Sequence, residues 1–166
     1  MPGKYEIINQ EVANQKLNRM ALELAESLSG DDTPVIIIGI RNSGTVVAEK
    51  IGALLRTHIQ NPVQVISASM DKTKPDTVTL SEKLDMNGLH IVVADDVTNS
   101  GKTLLYALKP LLEYHPKSIQ TLVLVERMHK LFPVKPDYVG LSVATTSQDH
   151  IQVEVENGEI LGASVV

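Results

Sequence analysis

Ile91-Val-Val-Ala-Asp-Asp-Val-Thr-Asn-Ser-Gly-Lys-Thr103 is the stretch that decides how the chain is interpreted. Residues 91–94 form an apolar run that predicts a buried strand, and residues 102–112 carry leucines at helical spacing. Residues 95–101 are therefore predicted to connect a strand to the N-terminus of a helix. A polar, glycine-containing turn at that position is typical of phosphate sites, because unpaired N–H groups point outward there.

The side chains of this stretch suit the two ends of a ribose 5-phosphate. The adjacent carboxylates of Asp95 and Asp96 suit ribose hydroxyls or a bound cation. The groups that suit a phosphate monoester belong to Thr98, Ser100, Lys102 and Thr103. One short loop is therefore predicted to hold a sugar phosphate.

Two other classes of site share parts of this pattern. Mg-binding response domains also place two acidic residues after a strand, and Ser-Gly-Lys-Thr resembles the end of a nucleotide-triphosphate loop. That loop requires a further glycine upstream and carboxylates elsewhere in the chain, whereas residues 91–100 contain no glycine and two aspartates. The pattern therefore favours a sugar-phosphate site.

The rest of the chain predicts one α/β domain spanning residues 1–166, a length that suits a single domain with a substantial core. Predicted helices cover residues 9–28, 45–55 and 102–112, and predicted strands cover residues 34–40, 62–69, 91–94 and 119–125. Pro110 predicts a kink or break near Leu108. This alternation predicts a mainly parallel sheet flanked by helices.

The C-terminal part predicts a small antiparallel appendage. Residues 138–143, 151–156 and 160–165 have strand character, and Asn157-Gly158 between the last two is a good hairpin turn. Residues 70–81 mix Asp, Lys, Thr and Pro, which predicts a flexible lid.

A second turn, Gly39-Ile-Arg-Asn-Ser-Gly44, follows the predicted strand 34–40 and precedes a helix. Ligands collect at the carboxyl ends of parallel strands, so the two turns are expected to bind one substrate together. The guanidinium, amide, hydroxyl and close-approach backbone of Arg41, Asn42, Ser43 and Gly44 suit a diphosphate.

Composition argues against several function classes. A net charge of −5 gives no general attraction to nucleic acid, and the absence of Trp with a single Phe leaves few stacking platforms. We therefore expect no useful RNA binding. No stretch approaches the length of a membrane span and the chain has no Cys, so we expect a cytoplasmic protein that is not membrane-bound.

Three segments together resemble the pyrimidine-operon attenuator and uracil phosphoribosyltransferase family, a group of type I phosphoribosyltransferases. They are residues 39–44, residues 93–103 and Leu-Val-Glu-Arg-Met-His-Lys-Leu-Phe-Pro-Val-Lys-Pro-Asp-Tyr-Val-Gly at residues 124–140. The similarity covers nearly the whole chain, from about Tyr5 to about Ala163. It implies the type I phosphoribosyltransferase fold with a lid, and phosphoribosyl diphosphate (PRPP) as a substrate.

The resemblance also implies roles for individual residues. The catalytic set would be Asp95, Asp96 and Arg41, with Asp95 and Asp96 at the ribose hydroxyls and at Mg²⁺. The 5′-phosphate would be bound by Thr98, Asn99, Ser100, Gly101, Lys102 and Thr103. The diphosphate would be bound by Arg41, Asn42, Ser43 and Gly44. The nucleobase would lie near Val97, Arg127 and Val143, although Arg127 could equally be a phosphate partner or a strand-end surface charge.

The function that the resemblance implies is Mg²⁺-dependent transfer of the phosphoribosyl group of PRPP to a nucleobase, in a homodimer or higher homo-oligomer. Two alternatives stand beside it: a 6-oxopurine phosphoribosyltransferase, and a non-catalytic regulator that senses PRPP or a nucleotide. The 6-oxopurine enzymes normally carry Asp where this chain has Asn99, and an amide does not accept a proton at neutral pH. Asn99 therefore favours uracil.

Overall fold

The computed structural model describes residues 5–71, 77–146 and 148–166. The strands of this part of the chain are β1 (Tyr5–Asn9), β2 (Val35–Ile40), β3 (Val63–Met70), β4 (Val78–Leu80), β5 (His90–Thr98), β6 (Ser118–Arg127), β7 (Tyr138–Val143), β8 (Ile151–Glu156) and β9 (Glu159–Val165). The helices are α1 (Gln10–Ser27), α2 (Ser43–Arg56) and α3 (Lys102–Ala107), followed by a 3₁₀-helix at Lys109–Glu113. No helix within these ranges is long and apolar enough to cross a membrane.

The main sheet has six strands in the order β4-β3-β2-β5-β6-β7. The pairs from β3 to β7 are parallel, and β4 is antiparallel to β3. All six residues of β2 are buried between two core clusters: Ile37 belongs to the cluster that includes residues of α1 and α2, and Ile38 to the one that includes residues of α3 and the 3₁₀-helix. Removing such a side chain from water contributes roughly 1.5–3 kcal/mol. The predicted parallel sheet flanked by helices is confirmed.

The sequence of α1 explains where this helix begins and which of its faces is buried. Asn9 caps α1, and its Oδ1 accepts a hydrogen bond from the N–H of Val12 at 2.9 Å. The apolar residues that recur at helical spacing along this segment are all buried: Ala13, Leu17, Met20, Ala21, Leu24 and Leu28. The helix therefore packs into the core through one apolar stripe.

A second, three-stranded sheet has the order β1-β9-β8. The hairpin between β8 and β9 turns at Asn157 and Gly158, both with positive φ (52° and 75°), as a two-residue hairpin turn requires. The predicted antiparallel appendage is thus confirmed, but its third strand is β1, which the sequence did not predict. An ion pair of 2.6 Å between Lys50 and Glu159 joins this sheet to α2.

Three predictions near the candidate site need correction or completion. β5 continues to Thr98, so the acidic pair lies in the strand and not in the connection, because Asp95, Val97 and Thr98 still pair with β6. The helix predicted over residues 102–112 breaks at Leu108 as expected. Part of the predicted lid is strand β4, which pairs with the end of β3, and residues 72–76 of that segment lie outside the described residues.

A polar cluster closes the opposite edge of the sheet, at the amino ends of the parallel strands. Asp31 Oδ2 lies 2.7 Å from His90 Nε2 and 3.0 Å from Lys117 Nζ, and Oδ1 accepts the Thr33 N–H at 2.8 Å. Hydrogen bonds from Thr33, His90 and Lys117 hold the pKa of Asp31 well below its usual range. This cluster ties the start of β5 and the chain before β6 to the loop that precedes β2.

Candidate active site

A cavity of about 610 Å³ lies at the carboxyl ends of β2 and β5, which are adjacent in the sheet. The residues that line it are Ile40, Arg41, Asn42, Ser43, Met70, Asp95, Asp96, Val97, Asn99, Lys102, Thr103, Ile151, Gln152 and Val153. The structure therefore brings together the two turns that the sequence singled out. Parallel strands place their carboxyl ends at one edge, which is the usual ligand position in open α/β sheets.

The first turn leaves β2 at Ile40 and enters α2. The N–H of Arg41 donates to the Ala68 carbonyl of β3 at 2.9 Å, the Arg41–Asn42 peptide bond is cis, and the side chains of Arg41 and Asn42 are exposed. Gly44 is buried against the acidic pair. A Cβ on Gly44 would lie 2.8 Å from Asp95 Oδ1, so a side chain there would collide with the carboxylate. The first turn is therefore in direct contact with the end of β5 at this glycine.

The acidic pair is held by its own backbone. Asp95 is 7% exposed, and its Oδ1 accepts the N–H of Asp96 at 2.8 Å. Asp96 is half-buried, and its Oδ1 accepts the N–H of Val97 at 2.8 Å. These contacts fix both carboxylates at the rim of the cavity.

The second turn, residues 98–103, is called the phosphate turn below. Gly101 has φ 89°, a left-handed conformation that favours glycine, and the Lys102 N–H lies 3.3 Å from Ser100 Oγ. Asn99, Lys102 and Thr103 line the cavity, whereas Thr98 is only 4% exposed. The predicted phosphate residues thus form one compact turn at the start of α3.

The predicted nucleobase residues separate in the structure. Val97 lines the cavity, whereas Arg127 and Val143 pair with each other across β6 and β7 and are not among its lining residues. Arg127 donates from Nε to Thr145 Oγ1 and from an η nitrogen to the Thr146 carbonyl, both at 2.8 Å. It therefore anchors the chain that follows β7.

Five lining residues are not among the predicted site residues. Ile40 ends β2, Met70 ends β3 at the start of the predicted lid, and Ile151, Gln152 and Val153 come from β8, so the small sheet supplies one wall of the cavity. The alternating pattern of residues 151–156 predicted a strand. Nothing in that pattern indicated which part of the main sheet the strand would face.

A buried acid lies beyond the phosphate turn, at the end of β6. Glu126 is 6% exposed, forms an ion pair with Lys130, and accepts a hydrogen bond from Ser142 Oγ at 2.8 Å. Burial raises the pKa of Glu126, but the hydrogen bonds from Lys130 and Ser142 and the charges of Lys130 and Lys135 outweigh it and hold the pKa below its usual value. Glu126 is therefore a charged structural link at neutral pH.

A parallel sheet with two polar turns at adjacent strand ends defines the class of α/β proteins that bind phosphorylated ligands at that edge. The family model for the phosphoribosyl transferase domain matches residues 5–157 of this chain. The chain therefore belongs to the phosphoribosyl transferase domain family and is a phosphoribosyltransferase. The resemblance on which the sequence interpretation was based is confirmed.

Several curated proteins are similar over nearly the whole chain. The Bifunctional protein PyrR of Limosilactobacillus fermentum is 29% identical over 164 residues, covering 92% of this chain and 91% of the relative. The protein of the same name from Thermoanaerobacter sp. is 28% identical over 176 residues, covering 100% and 98%.

The fold is also similar to solved structures. The hypoxanthine phosphoribosyltransferase of Trypanosoma cruzi matches with a TM-score of 0.80 at 16% identity, covering 95% of this chain and 94% of that one. A hypoxanthine-guanine phosphoribosyltransferase of Bacillus anthracis matches with a TM-score of 0.75 at 21% identity, covering 99% and 100%. At these identities the likeness concerns the fold alone, and it confirms the predicted fold class.

Proposed function

We propose that this phosphoribosyltransferase transfers the 5-phosphoribosyl group of PRPP to uracil and releases diphosphate. The observation that carries the proposal is that both turns and the acidic pair line one cavity, with the first turn packed against Asp95 at Gly44. PRPP carries a phosphate at one end of its ribose and a diphosphate at the other. A site that binds it needs two phosphate-binding turns separated by groups for the sugar hydroxyls.

In this proposal each part of the cavity meets one part of PRPP. The first turn binds the diphosphate through Arg41, Asn42, Ser43 and Gly44. Asp95 and Asp96 bind the ribose hydroxyls. The phosphate turn binds the 5′-phosphate through Thr98, Asn99, Ser100, Gly101, Lys102 and Thr103.

Mg²⁺ is the cofactor that fits this arrangement. Among the described residues, no three His, Cys, Asp or Glu side chains gather into a complete metal site. Mg²⁺ is commonly held by one or two carboxylates together with substrate phosphates. The pair Asp95 and Asp96 lines the same cavity as the first turn. When bound, the ion would neutralise charge on the departing diphosphate. PRPP titrations with and without Mg²⁺ test this proposal.

The reaction replaces the bond between ribose C1 and diphosphate with a bond from C1 to a nucleobase nitrogen, which releases its N–H proton, and positive charge develops on the sugar in the transition state. The carboxylates of Asp95 and Asp96 favour that charge and orient the ribose, and the guanidinium of Arg41 stabilises the leaving diphosphate.

The choice of uracil as the nucleobase rests on Asn99, which is exposed and lines the cavity. Its amide does not accept a proton at neutral pH, unlike the Asp expected in a 6-oxopurine enzyme. Val97 lies in the cavity, and Arg127 and Val143 are proposed to act from the neighbouring strand ends. Purines remain the second candidate, and one assay separates the two.

That assay measures diphosphate release by the purified protein with PRPP, Mg²⁺ and each of uracil, hypoxanthine, guanine and xanthine. The proposal requires turnover with uracil in preference to the purines. Calorimetry then compares PRPP binding by the Asp95→Asn and Asp96→Asn variants with binding by Asp32→Asn, an exposed aspartate before β2 at the opposite edge of the sheet. Unchanged affinity in both site variants would remove the assignment of the ribose site.

We also propose that the protein is a homodimer or a higher homo-oligomer. One solved structure with a similar fold, from Trypanosoma cruzi, is described by the role of its C-terminal region in oligomeric state and enzymatic activity. Light scattering coupled to size exclusion tests the state of this chain, and a monomer at micromolar concentration would contradict the proposal.

A further inference from the structure

The segment that follows β6 packs directly against the phosphate turn. The N–H groups of Leu131 and Phe132 both donate to the Ser100 carbonyl, at 2.9 and 3.0 Å. A Cβ on Gly101 would lie 3.2 Å from the Phe132 carbonyl oxygen, so the two backbones are close. Residues 130–132 are called the brace below.

The brace sets the direction of a peptide plane in the phosphate turn. The Ser100–Gly101 peptide bond is trans, so the Ser100 carbonyl and the Gly101 N–H point in opposite directions. Because two donors hold the carbonyl toward the brace, the Gly101 N–H points away from it. A backbone N–H at a fixed angle is what an anion-binding turn requires.

The brace also limits where the Lys102 ammonium can go. Lys102 Nζ lies 6.0 Å from the centre of the Phe132 ring and 5.9 Å from the centre of the Tyr106 ring. Both distances are within the range in which an aromatic face attracts a cation. The two rings therefore favour positions of the exposed Lys102 ammonium beside the turn over the other rotamers of its flexible stem.

The brace is itself anchored at its start. Lys130 pairs with the buried carboxylate of Glu126 at the end of β6, and its Nζ also lies 3.4 Å from the Arg127 carbonyl. Ser142 in β7 holds the other carboxylate oxygen of Glu126 at 2.8 Å. Two strands of the main sheet therefore support the brace.

We propose that Phe132 is a positioning residue for the phosphate end of the substrate, acting on Lys102 through its ring and on Gly101 through its backbone. The inference rests on the proposed function, because it takes residues 98–103 as the 5′-phosphate site. It adds a residue that touches no substrate and lies outside the turn. The aromatic ring is the part of the side chain that the role requires.

Calorimetry with two ligands separates this role from general support of the fold. Ribose 5-phosphate probes the phosphate turn, and inorganic diphosphate with Mg²⁺ probes the first turn. Phe132→Leu keeps an apolar side chain and removes the ring, whereas Phe132→Tyr keeps the ring. Met128→Ala is the control, because Met128 lies outside the brace, in the same connection, and is 59% exposed.

Phe132→Leu is expected to bind ribose 5-phosphate about fivefold more weakly than the wild type, the loss that a cation–aromatic contact supports. Its diphosphate affinity should match the wild type, and Phe132→Tyr and Met128→Ala should bind both ligands normally. Equal affinity of Phe132→Leu and wild type for ribose 5-phosphate overturns the role of the ring, as does an equal loss for both ligands. A wild-type protein that binds diphosphate but not ribose 5-phosphate overturns the phosphate-turn assignment itself, and the positioning role with it.

Discussion

Replacing Gly44 with alanine should disturb both the first turn and the acidic pair, because this glycine is where the first turn touches Asp95. The new Cβ would lie 2.8 Å from Asp95 Oδ1 and 3.1 Å from both the Ala94 carbonyl oxygen and Asp95 Cα. Ordinary contact begins at about 3.4 Å, so the start of α2 or the carboxylate must move by about 0.6 Å. Asp95 cannot swing away freely, since it is buried and bonded to the N–H of Asp96.

The expected change in the free energy of unfolding is the difference between two opposing effects. Overpacking a well-packed contact costs about 1–3 kcal/mol, and replacing Gly with Ala in a helix returns up to about 1 kcal/mol. We therefore expect Gly44→Ala to lower the free energy of unfolding by about 1–2 kcal/mol. Misplacement of a ligand group by a fraction of an ångström should weaken PRPP binding by about tenfold or more.

Urea unfolding measures the first quantity and calorimetric PRPP titration the second. Glu49→Ala is the matched control, because Glu49 lies on the exposed face of the same helix, and its replacement should change stability by less than about 0.5 kcal/mol. A Gly44→Ala protein with the wild-type unfolding midpoint and wild-type PRPP affinity would refute the tight contact between the first turn and Asp95.

Three further predictions concern charge. Lys130→Met leaves Glu126 buried without its cation and should lower the free energy of unfolding by about 3–5 kcal/mol. The double variant Lys130→Met/Glu126→Gln should recover most of that loss in urea unfolding. If the losses of the two single variants simply add in the double variant, the two side chains are not coupled. Because the pKa of Asp31 is depressed in the folded state, its stabilisation is full above the unfolded-state value of about 3.9 and is lost as pH falls through the folded-state pKa. The stability gap between wild type and Asp31→Asn should thus be wide at pH 7 and narrow in acid below about pH 4, and a gap that stays constant would exclude this origin. Finally, the net charge of −5 predicts no specific RNA binding, so saturable filter binding of a pyrimidine-operon leader below about micromolar, tighter than scrambled RNA, would overturn the expectation.

Local patterns predicted the parts of the site that lie within one element. The apolar runs of β2 and β5 and the polar residues after them predicted two turns at one sheet edge, since strand direction alone sets that geometry. The continuation of β5 through Asp95 was missed, because its pairing with β6 is decided by the partner strand and carboxylates are rare in strands.

The same local patterns could not predict contacts between elements that are distant in the sequence. The wall formed by Ile151, Gln152 and Val153 depends on where the small sheet docks. Strand β1 forms by pairing with β9, and its five residues alone did not predict a strand. Glu126 and Lys130 are four residues apart, but β6 ends at Arg127 between them. Their pairing depends on the path of the connection rather than on helical spacing.

The pairing of β1 with β9 has a consequence for the order in which the protein forms. Tyr5 lies opposite Val165, so β1 leaves the ribosome long before its partner exists. The strands β2 to β7 and both turns are synthesised before β8 and β9, and contacts distant in sequence, such as those of β1 with β9, are slow to close. The wall that β8 supplies depends on β9, so it is completed last. A nascent chain would therefore contain the groups proposed to bind PRPP before it has the strand that walls the cavity.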